Sequence, residues 1–354
     1  MKKKSKIAIL VKVLGVALLL VSVGGGWLWM SFQQFVESPI AVKGQPVVFV
    51  LEPGLSVGRV GEKMKAQGFI SDGRFFGWLA RLDGKAQRLQ AGEYELKAGS
   101  LPRDVLDLFV SGRVKQYSLT MVEGWTFAQV MGLVGRHPKI KQTLTNVPLI
   151  EVMAHLGRPG QHPEGRFLPD TYLFPSGTTD VEFLQRAYTS MQALLNKEWG
   201  MRAAGLPYKD AGEALIMASI VEKETGAAAE RAEIAGVFVR RLQKGMKLQT
   251  DPTLIYGLGN RYDGNIHRSD LTEDTPYNTY TRFGLPPTPI ALPGADAVRA
   301  AFHPNAGNAL YFVARGDGTH VFSATLEEHQ RAVRRFQINA RRSDYRSAPK
   351  VELK

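Results

Sequence analysis

Hydrophobic and polar positions over residues 213–225 follow the period of an α-helix. The stretch is rich in the helix formers Ala, Leu, Met and Glu, and it contains no Gly or Pro. At about 100° per residue, Glu224 lies on the same arc as four apolar side chains: Ile216, Met217, Ile220 and Val221. Glu222 points to the other side of this predicted helix. Apolar surroundings raise the pKa of a carboxyl, as a general acid requires, so Glu224 is the first catalytic candidate. The alternative is that Glu224 ends a core helix at the solvent boundary or pairs with an arginine such as Arg231.

The amino-terminal pattern is a basic segment followed by a long apolar one. Residues 13–30 are apolar and long enough to span a bilayer, which predicts one transmembrane helix after a basic cytoplasmic tail at 1–12. Trp27 and Trp29 would lie at the outer interface. A cleaved signal peptide is the alternative, but bulky residues stand where cleavage would occur, so a retained anchor is favoured. A short polar linker is predicted at 31–46.

Residues 47–135 repeat one local pattern three times. Each passage reads as a strand, a Gly turn, a Ser, Thr or Pro at a helix start, and a helix, with strands at 47–51, 94–96 and 119–122. An additional helix is predicted at 72–82. We therefore predict a small α+β module here.

The remaining chain continues this mixture of helices and short strands, so the predicted fold class is α+β. An aromatic, Pro- and Gly-rich loop at 163–175 combines ring faces with carboxylates, as sugar sites do. Further elements are expected in the following order: a helix at 181–199 capped by Asp180, a helix at 229–244, a hairpin at 310–322, a helix at 326–340 and a charged tail at 341–354.

Composition narrows the chemistry. The chain of 354 residues has no cysteine, which excludes disulfides and a thiol nucleophile, and its net charge of +12 favours an anionic partner such as a phospholipid surface or an anionic polymer. No nucleic-acid-binding module, phosphate-binding Gly loop or metal-ligand spacing of histidines is present, so we predict no nucleic-acid partner, no metal and no cofactor. Ser219 has no His nearby in sequence, which argues against an acyl-enzyme.

Three long motifs occur in order: ASIVEKET from 218, VFVRRLQKGMKLQTDPTLIYGLG from 237 and YNTYTRFGLPPTPIALPG from 277. Together they resemble the YceG-like family of membrane-anchored endolytic peptidoglycan transglycosylases, over about residues 160–325. The resemblance implies a larger α+β catalytic domain at 136–340. The passage that begins at 47 resembles a LysM module, whose family binds N-acetylglucosamine chains of peptidoglycan. The alternative is that this module only positions the catalytic domain.

The resemblance also implies a mechanism. Glycosidases normally need two carboxyls, whereas a lytic transglycosylase uses one Glu as acid and then as base, leaving a 1,6-anhydromuramyl end. Glu224 matches that residue, and Glu222 receives a supporting or structural role; the two exchange roles if the helix is rotated. Supporting hydrogen bonds or substrate contacts are expected from the later motifs and from the loop at 163–175: Gln249, Asp251, Asn278, Tyr280, Glu164, Asp170 and Tyr172.

The sequence therefore predicts a protein anchored in the bacterial inner membrane, with its catalytic domain on the periplasmic side. Its substrate would be nascent peptidoglycan glycan strands, whose length it would set near the penicillin-binding synthases. A hydrolytic muramidase is the nearest alternative, with Asp170 or Asp251 as the second carboxylate. A non-catalytic wall-binding scaffold is the other.

Overall fold

The computed structural model describes residues 2–339, with side chains from residue 9 onward. Its first helix, α1, is Lys2–Glu37. Within the described part of the chain, one helix is long and apolar enough to cross a membrane: Ile9–Glu37, whose most apolar window has a mean hydropathy of 2.2 and no buried residue. An N-terminal apolar helix of this kind is compatible with a single-pass anchor. The predicted charged tail at 341–354 lies outside the described residues.

The helix α1 continues past the end predicted at Met30. Its last turns carry Phe32 and Phe35, which are buried and whose rings pack against Phe75 at centroid distances of 5.8 and 5.7 Å. Burial of these aromatic side chains stabilises the helix where a polar linker was expected. The linker is correspondingly shorter.

The described residues form two compact units, which divide between Tyr117 and Ser118. The sequence placed the end of the first module at 135. The third strand–turn–helix passage thus belongs to the larger unit, where the Gly124 amide donates to the Leu292 carbonyl at 2.9 Å. That long-range bond could not be read from the local pattern.

The smaller unit contains two strands and three helices beyond α1. The antiparallel strands pair with Phe49 opposite Tyr94, and both side chains are fully buried. Phe109 stacks on Phe49 at a centroid distance of 5.4 Å, so the aromatic residues form the centre of this core. The elements are β1 Val47–Leu51, α2 Val57–Ala66, α3 Gly73–Leu82, β2 Gly92–Leu96 and α4 Pro102–Ser111.

The larger unit is mainly helical with small two-stranded sheets. In it β3 pairs with β5, β4 pairs in parallel with β6, and β7 and β8 form an antiparallel hairpin. The mixture of helix and sheet expected from the sequence is confirmed. The elements are β3 Gln116–Thr120, α5 Phe127–Arg136, β4 Ile140–Lys141, α6 Val152–His155, β5 Thr171–Pro175, β6 Thr178–Thr179, α7 Asp180–Met201, α8 Ala211–Glu224, α9 Arg231–Gln243, α10 Asp251–Leu258, α11 Arg268–Thr272, α12 Ala295–Phe302, β7 Tyr311–Ala314, β8 His320–Ser323 and α13 Leu326–Val333.

Helix α8 is the centre of the larger unit. It packs against α7, α9, α10 and α12, and it is buried on nearly every side. The sequence predicted one apolar arc, but Leu215, Ala218 and Ser219 are buried as well, while Ile216 is partly exposed. The prediction of a one-sided helix was wrong because neighbouring helices surround α8. The hydroxyl of Ser219 accepts the Ile290 amide at 3.0 Å, which is a structural role.

Asp180 begins α7 but does not cap it. The cap is Thr179, whose hydroxyl accepts the Glu182 amide at 3.1 Å. Asp180 is buried and accepts the amides of Thr143 and Leu144, each at 2.8 Å. The cap prediction was therefore one residue out, and the carboxylate instead fixes a neighbouring loop.

Candidate active site

Glu224 is the last residue of α8 and lies in the wall of a cavity of about 360 Å³. Its side chain is half-buried. Three of the residues predicted for the site, Gln249, Asp251 and Tyr280, line the same cavity. The structure thus brings together four of the predicted residues.

The hydroxyl of Thr250 donates a hydrogen bond to the Glu224 carboxyl. Thr250 is itself 2 % exposed, and its amide donates to the Thr279 hydroxyl at 3.1 Å. Thr279 also shares a 2.9 Å hydrogen bond with Thr253. A chain of buried threonines therefore fixes one oxygen of Glu224. The sequence analysis missed Thr250, although it lies between two predicted residues.

The pKa of Glu224 is raised to about 7, because burial disfavours the charged carboxylate and the nearby negative charge of Asp251 adds to this effect. The Thr250 hydrogen bond and the positive charge of Arg241 act in the opposite direction. A carboxyl with this pKa exchanges a proton readily near neutral pH. It can serve both as an acid and as a base.

Gln249 enters the cavity from a strained backbone. Its φ of +50° lies in the left-handed region, which costs a non-glycine residue about 1 kcal/mol or more. The Gln249 amide donates to the Thr279 carbonyl at 3.1 Å, which helps to hold this conformation. Gln249, Thr250 and Asp251 all line the cavity.

Tyr280 and Asp251 form a polar pair in the cavity. The Tyr280 hydroxyl donates to an Asp251 oxygen at 2.5 Å. Burial raises the pKa of Tyr280, and the carboxylate of Asp251 adds to that rise, so the phenol keeps its proton. Asp251 is therefore the second carboxyl group in the Glu224 cavity.

A third part of the cavity wall comes from α9, the hairpin and α13. Arg241 is buried, donates from Nε to the Leu310 carbonyl at 2.6 Å, and lies 5.0 Å from the Tyr311 ring centroid. The His329 ring stacks on Tyr311 at 5.3 Å, and its buried Nδ1 has no hydrogen-bond partner within the described chain. Burial, with the charge of Arg241, lowers the pKa of His329. None of these residues was predicted.

Glu222 points away from this cavity. One of its oxygens accepts the Gly294 amide at 3.0 Å and the other lies 3.5 Å from an Arg231 nitrogen. Burial raises the pKa of Glu222 above its ordinary value. Arg231 also lies 3.4 Å from Glu123 and 3.6 Å from Asp296. Glu222 thus joins the end of α8 to the start of α12.

Asn278 is fully buried, and its side-chain amide forms hydrogen bonds with backbone groups. Its nitrogen donates to the carbonyls of Asp270 and Glu273 at 2.9 and 2.7 Å, and its oxygen accepts the Tyr280 amide at 2.9 Å. It does not line the Glu224 cavity. In this geometry Asn278 positions the backbone of Tyr280.

Glu164 lies in a different cavity, of about 740 Å³. It is 4 % exposed and accepts the Phe127 amide at 2.9 Å and the Tyr256 hydroxyl at 3.1 Å. Burial raises the pKa of Glu164 to about 7. Glu164 is thus a buried carboxyl that lines a cavity other than that of Glu224.

The other two residues predicted from the 163–175 loop line neither cavity. Asp170 is exposed, and its carboxylate accepts the Thr171 amide at 2.7 Å. Tyr172 donates to the Leu168 carbonyl at 2.7 Å and packs edge-on against Phe183. Burial raises the pKa of Tyr172 to about 12.

The described residues contain no group of three or more His, Asp and Glu side chains that could hold a metal ion. The polar side chains that line the Glu224 cavity provide two carboxyls, two phenols, a glutamine amide, a threonine hydroxyl, a guanidinium and an imidazole.

Comparisons with known proteins show the family of this chain. The model of the YceG-like family matches residues 49–335, and the chain belongs to this family. The endolytic murein transglycosylase of Bacillus subtilis strain 168 is 30 % identical over 336 residues, which cover 89 % of this chain and 91 % of the relative. The protein of the same name from Streptococcus pneumoniae R6 is 28 % identical over 357 residues, covering 90 % of this chain and 63 % of the relative.

A solved structure gives the same assignment. The crystal structure of a YceG-like protein from Listeria monocytogenes matches with a TM-score of 0.52 and 27 % sequence identity. The match covers 82 % of this chain and 100 % of that one. The resemblance drawn from the sequence motifs is therefore confirmed.

Proposed function

We propose that this chain is a lytic transglycosylase that cleaves peptidoglycan strands within their length, with Glu224 as acid and base. The observation that carries the proposal is the half-buried Glu224 carboxyl with a pKa of about 7, bound by Thr250 at the wall of a cavity. The relatives named endolytic murein transglycosylases support the reaction class.

The reaction requires one carboxyl in two protonation states. Protonated Glu224 gives its proton to the glycosidic oxygen between N-acetylmuramic acid and N-acetylglucosamine, and the bond from that oxygen to muramyl C1 breaks. Glu224, now a carboxylate, takes the proton of the muramyl C6 hydroxyl while that oxygen bonds to C1. The products are a free N-acetylglucosamine 4-hydroxyl and a 1,6-anhydromuramyl end, and no water is consumed. A pKa near neutrality favours both transfers.

The groups around Glu224 have separate tasks in this mechanism. Thr250 orients the carboxyl, and burial, together with the negative charge of Asp251, raises its pKa and so favours the protonated form that starts the reaction. Tyr280 holds Asp251 in place. Arg241 stabilises the carboxylate that forms after the first proton transfer, since its positive charge lowers the Glu224 pKa.

A hydrolytic muramidase is the second candidate. It needs a carboxylate that activates water or attacks C1, and Asp251 is the group in the same cavity that could do so. Asp170 lines neither of the two cavities, which leaves Asp251 as the residue for this candidate. The two mechanisms leave different ends on the glycan.

We further propose that α1 anchors the chain in the bacterial cytoplasmic membrane, with its lysine-rich start inside and the larger unit on the periplasmic side. From there the enzyme would meet nascent strands beside the penicillin-binding synthases and end their elongation. The smaller unit would bind N-acetylglucosamine chains as a LysM-like module. A hydrophobic helix with no buried residue in its most apolar window supports the anchor.

The test is mass spectrometry of the products made by the full chain in detergent from purified, uncleaved glycan strands. We expect ends lighter by one water than reducing sugars. Reducing ends would establish the muramidase instead. A wild-type chain that binds strands without cleaving them would support the non-catalytic scaffold and overturn both enzyme candidates.

A further inference from the structure

The smaller unit contains a cavity of about 400 Å³ between the end of α1 and the end of α3. Its wall is built from residues of these two helices, among them Leu28, Trp29, Trp78, Arg81 and Leu82. Apolar side chains form most of this wall, and Arg81 is its one charged residue. The proposed reaction gives the cavity no part.

Aromatic contacts hold α3 beside the end of α1. The ring of Trp78 lies 6.3 Å from that of Phe32 and 5.4 Å from that of Phe75, and the two phenylalanine rings are 5.8 Å apart. Both phenylalanines are buried. The cluster joins one residue of α1 to two of α3, so the exposed end of α3 has a defined position along α1.

That position is the end of the apolar stretch of α1. A membrane span needs about 20 residues, so a span that starts after Lys12 reaches about Phe32. Gly25, Leu28 and Trp29, which line the cavity, therefore lie in the last two turns of the span. The side chains of α3 that line the same cavity lie at the same depth, which is the boundary between the acyl chains and the headgroups.

The exposed side of α3 suits this depth. Arg74, Trp78, Arg81 and Leu82 are spaced by four, three and one residues, which places them on one face of the helix, and all four are exposed. Leu82 is 67 % exposed. Tryptophan and leucine between arginines are typical of a helix that lies in a membrane interface.

The two arginines of this face differ in their partners. Arg74 pairs with Asp72 at 2.7 Å. Among the described residues, no carboxylate pairs with Arg81. The Arg81 guanidinium thus stands at the cavity as an unneutralised cation beside apolar side chains. An anionic group at the headgroup level would complement it.

We propose that the cavity between α1 and α3 binds a glycerophospholipid from the leaflet on the side of the smaller unit. An acyl chain packs against Leu28, Trp78 and Leu82, and the lipid phosphate accepts hydrogen bonds from Arg81. This inference rests on the proposed membrane anchor. It gives the smaller unit a second contact with the bilayer, so the unit is held against the membrane surface instead of pivoting on a single helix.

The lipid fits this cavity better than a second protein helix. A helix at this depth would need a carboxylate or an unpaired carbonyl to meet Arg81, and such groups are costly beside acyl chains. Phospholipid phosphates are already present at the end of every span. The apolar wall is also continuous with the apolar surface of α1, which the acyl chains surround.

The first experiment measures what covers Leu82. The chain has no cysteine, so Leu82→Cys in the full chain carries a single spin label, and the exposed position of Leu82 leaves the core intact. The chain is placed in vesicles of phosphatidylethanolamine and phosphatidylglycerol at low protein density. We expect the label to be relaxed by oxygen, which concentrates among acyl chains, and not by a water-soluble nickel chelate. The matched control is Val48→Cys, an exposed apolar residue of β1 outside the cavity, where nickel should dominate.

Each other outcome overturns a different statement. Relaxation of the Leu82 label by nickel would show that α3 stands in water and would overturn the lipid site. Protection from both reagents would show that protein covers the cavity, with the same consequence. Leu18→Cys tests the anchor separately, because Leu18 lies in the middle of the apolar stretch. A Leu18 label relaxed by nickel would overturn the anchor itself.

The second experiment measures the contact with the phosphate. The full chain in detergent is titrated with dioleoyl phosphatidylglycerol, and bound lipid is counted by native mass spectrometry. Arg81→Gln should lower the affinity roughly fivefold. Arg88→Gln, which changes an exposed arginine outside the cavity, should bind like wild type. Dioleoylglycerol has no phosphate and should bind wild type and Arg81→Gln equally. Equal phosphatidylglycerol affinity of wild type and Arg81→Gln, or equal losses in the two arginine variants, would contradict the proposal.

Discussion

Two glutamates near the end of α8 point in opposite directions and meet different surroundings. Glu224 lies at a cavity, with the Thr250 hydroxyl on one oxygen. Glu222 lies against the Gly294 amide and Arg231. Burial raises the pKa of both. The end of α8 thus places the Glu224 carboxyl at a cavity, whereas the Glu222 carboxyl contacts other residues of the protein.

The difference teaches that a raised pKa does not by itself define a catalytic residue. Both carboxyls are desolvated, yet Glu222 has a backbone donor and a guanidinium as direct partners, which leaves it little freedom to meet a substrate. Glu224 keeps open volume beside it. Glu164 is a third case, since it adjoins a cavity but has both oxygens held. Space next to the carboxyl separates Glu224 from Glu222, and the two held oxygens separate Glu164 from Glu224.

The largest expected effect is that of Glu224→Gln. Glutamine keeps the size and the Thr250 contact but cannot move a proton, so we expect cleavage of glycan strands to fall roughly 10²- to 10⁴-fold. The unfolding free energy should not fall, because the variant no longer buries an ionisable group whose pKa is raised to about 7. Strand cleavage and thermal unfolding measure the two effects.

Glu222→Gln is the matched control for this variant, because it makes the same chemical change two residues away. If Glu224→Gln cleaved strands at a rate near that of Glu222→Gln, the proposal that Glu224 has a catalytic role that Glu222 lacks would be wrong. If only Glu222→Gln lost activity, the roles would be exchanged.

Thr250→Val comes next. Valine keeps the shape and removes the hydroxyl that orients Glu224, and a lost hydrogen bond to a carboxyl is expected to lower kcat roughly ten- to a hundredfold. KM should change little, since Thr250 contacts the carboxyl and not the substrate. Thr250→Ser restores the hydroxyl and should recover most of the rate. A Ser variant as slow as Val would mean that packing of the threonine methyl, not the hydrogen bond, is what matters.

These two residues differ in how far the sequence could predict them. Glu224 was predicted because one helix and its period place it, and the resemblance gave its role. Thr250 acts through a contact between the end of α8 and the start of α10, which no local pattern specifies. Its own sequence neighbours, Gln249 and Asp251, were predicted from the family motif.

Residues further apart in the chain were less predictable. Arg241 and His329 come from α9 and α13, and only the packed fold brings both to the Glu224 cavity. Asn278 was expected to bind a sugar, but its side-chain nitrogen donates to backbone carbonyls in α11 and directly after it. Helices such as α3, α7 and α9 followed from the period, whereas α11 and α12 were not predicted. The burial of α8 on nearly every side did not, since it depends on neighbours that period cannot reveal.

Asp251→Asn should have a smaller effect, on pH dependence. The proton donor is protonated Glu224, so cleavage should decline as pH rises through its pKa of about 7. The negative charge of Asp251 raises that pKa; asparagine removes it, so the decline moves to lower pH, with a roughly threefold loss of rate near neutrality. A pH–rate profile of kcat measures the shift. Asp251→Glu keeps the charge and should keep the wild-type profile. An unchanged profile in Asp251→Asn would show that Asp251 does not act on Glu224.

Glu222→Gln is expected to change cleavage least, within about twofold, because its partners lie outside the cavity. In the folded protein the pKa of Glu222 lies above its ordinary value of 4.5. The uncharged carboxyl therefore contributes to the unfolding free energy at acid pH, and this contribution is lost as the carboxyl ionises at higher pH. Glutamine stays neutral and still accepts the Gly294 amide. Its stability relative to wild type should therefore improve with rising pH, as followed by denaturant unfolding at acid and mildly alkaline pH.

Glu222→Ala separates the hydrogen bond from the charge. Alanine leaves the Gly294 amide without its acceptor, which should lower the unfolding free energy by about 1–3 kcal/mol relative to Glu222→Gln at either pH. Arg231 keeps Glu123 and Asp296 nearby in both variants, so the loss of its ion pair affects them equally. If Glu222→Gln is as unstable as Glu222→Ala, the charge pair with Arg231 is what joins α8 to α12. If Glu222→Gln is as stable as wild type, the hydrogen bond from the Gly294 amide is sufficient without the charge. Glu222 would then differ from Glu224 in the contact it makes and not in the charge it carries.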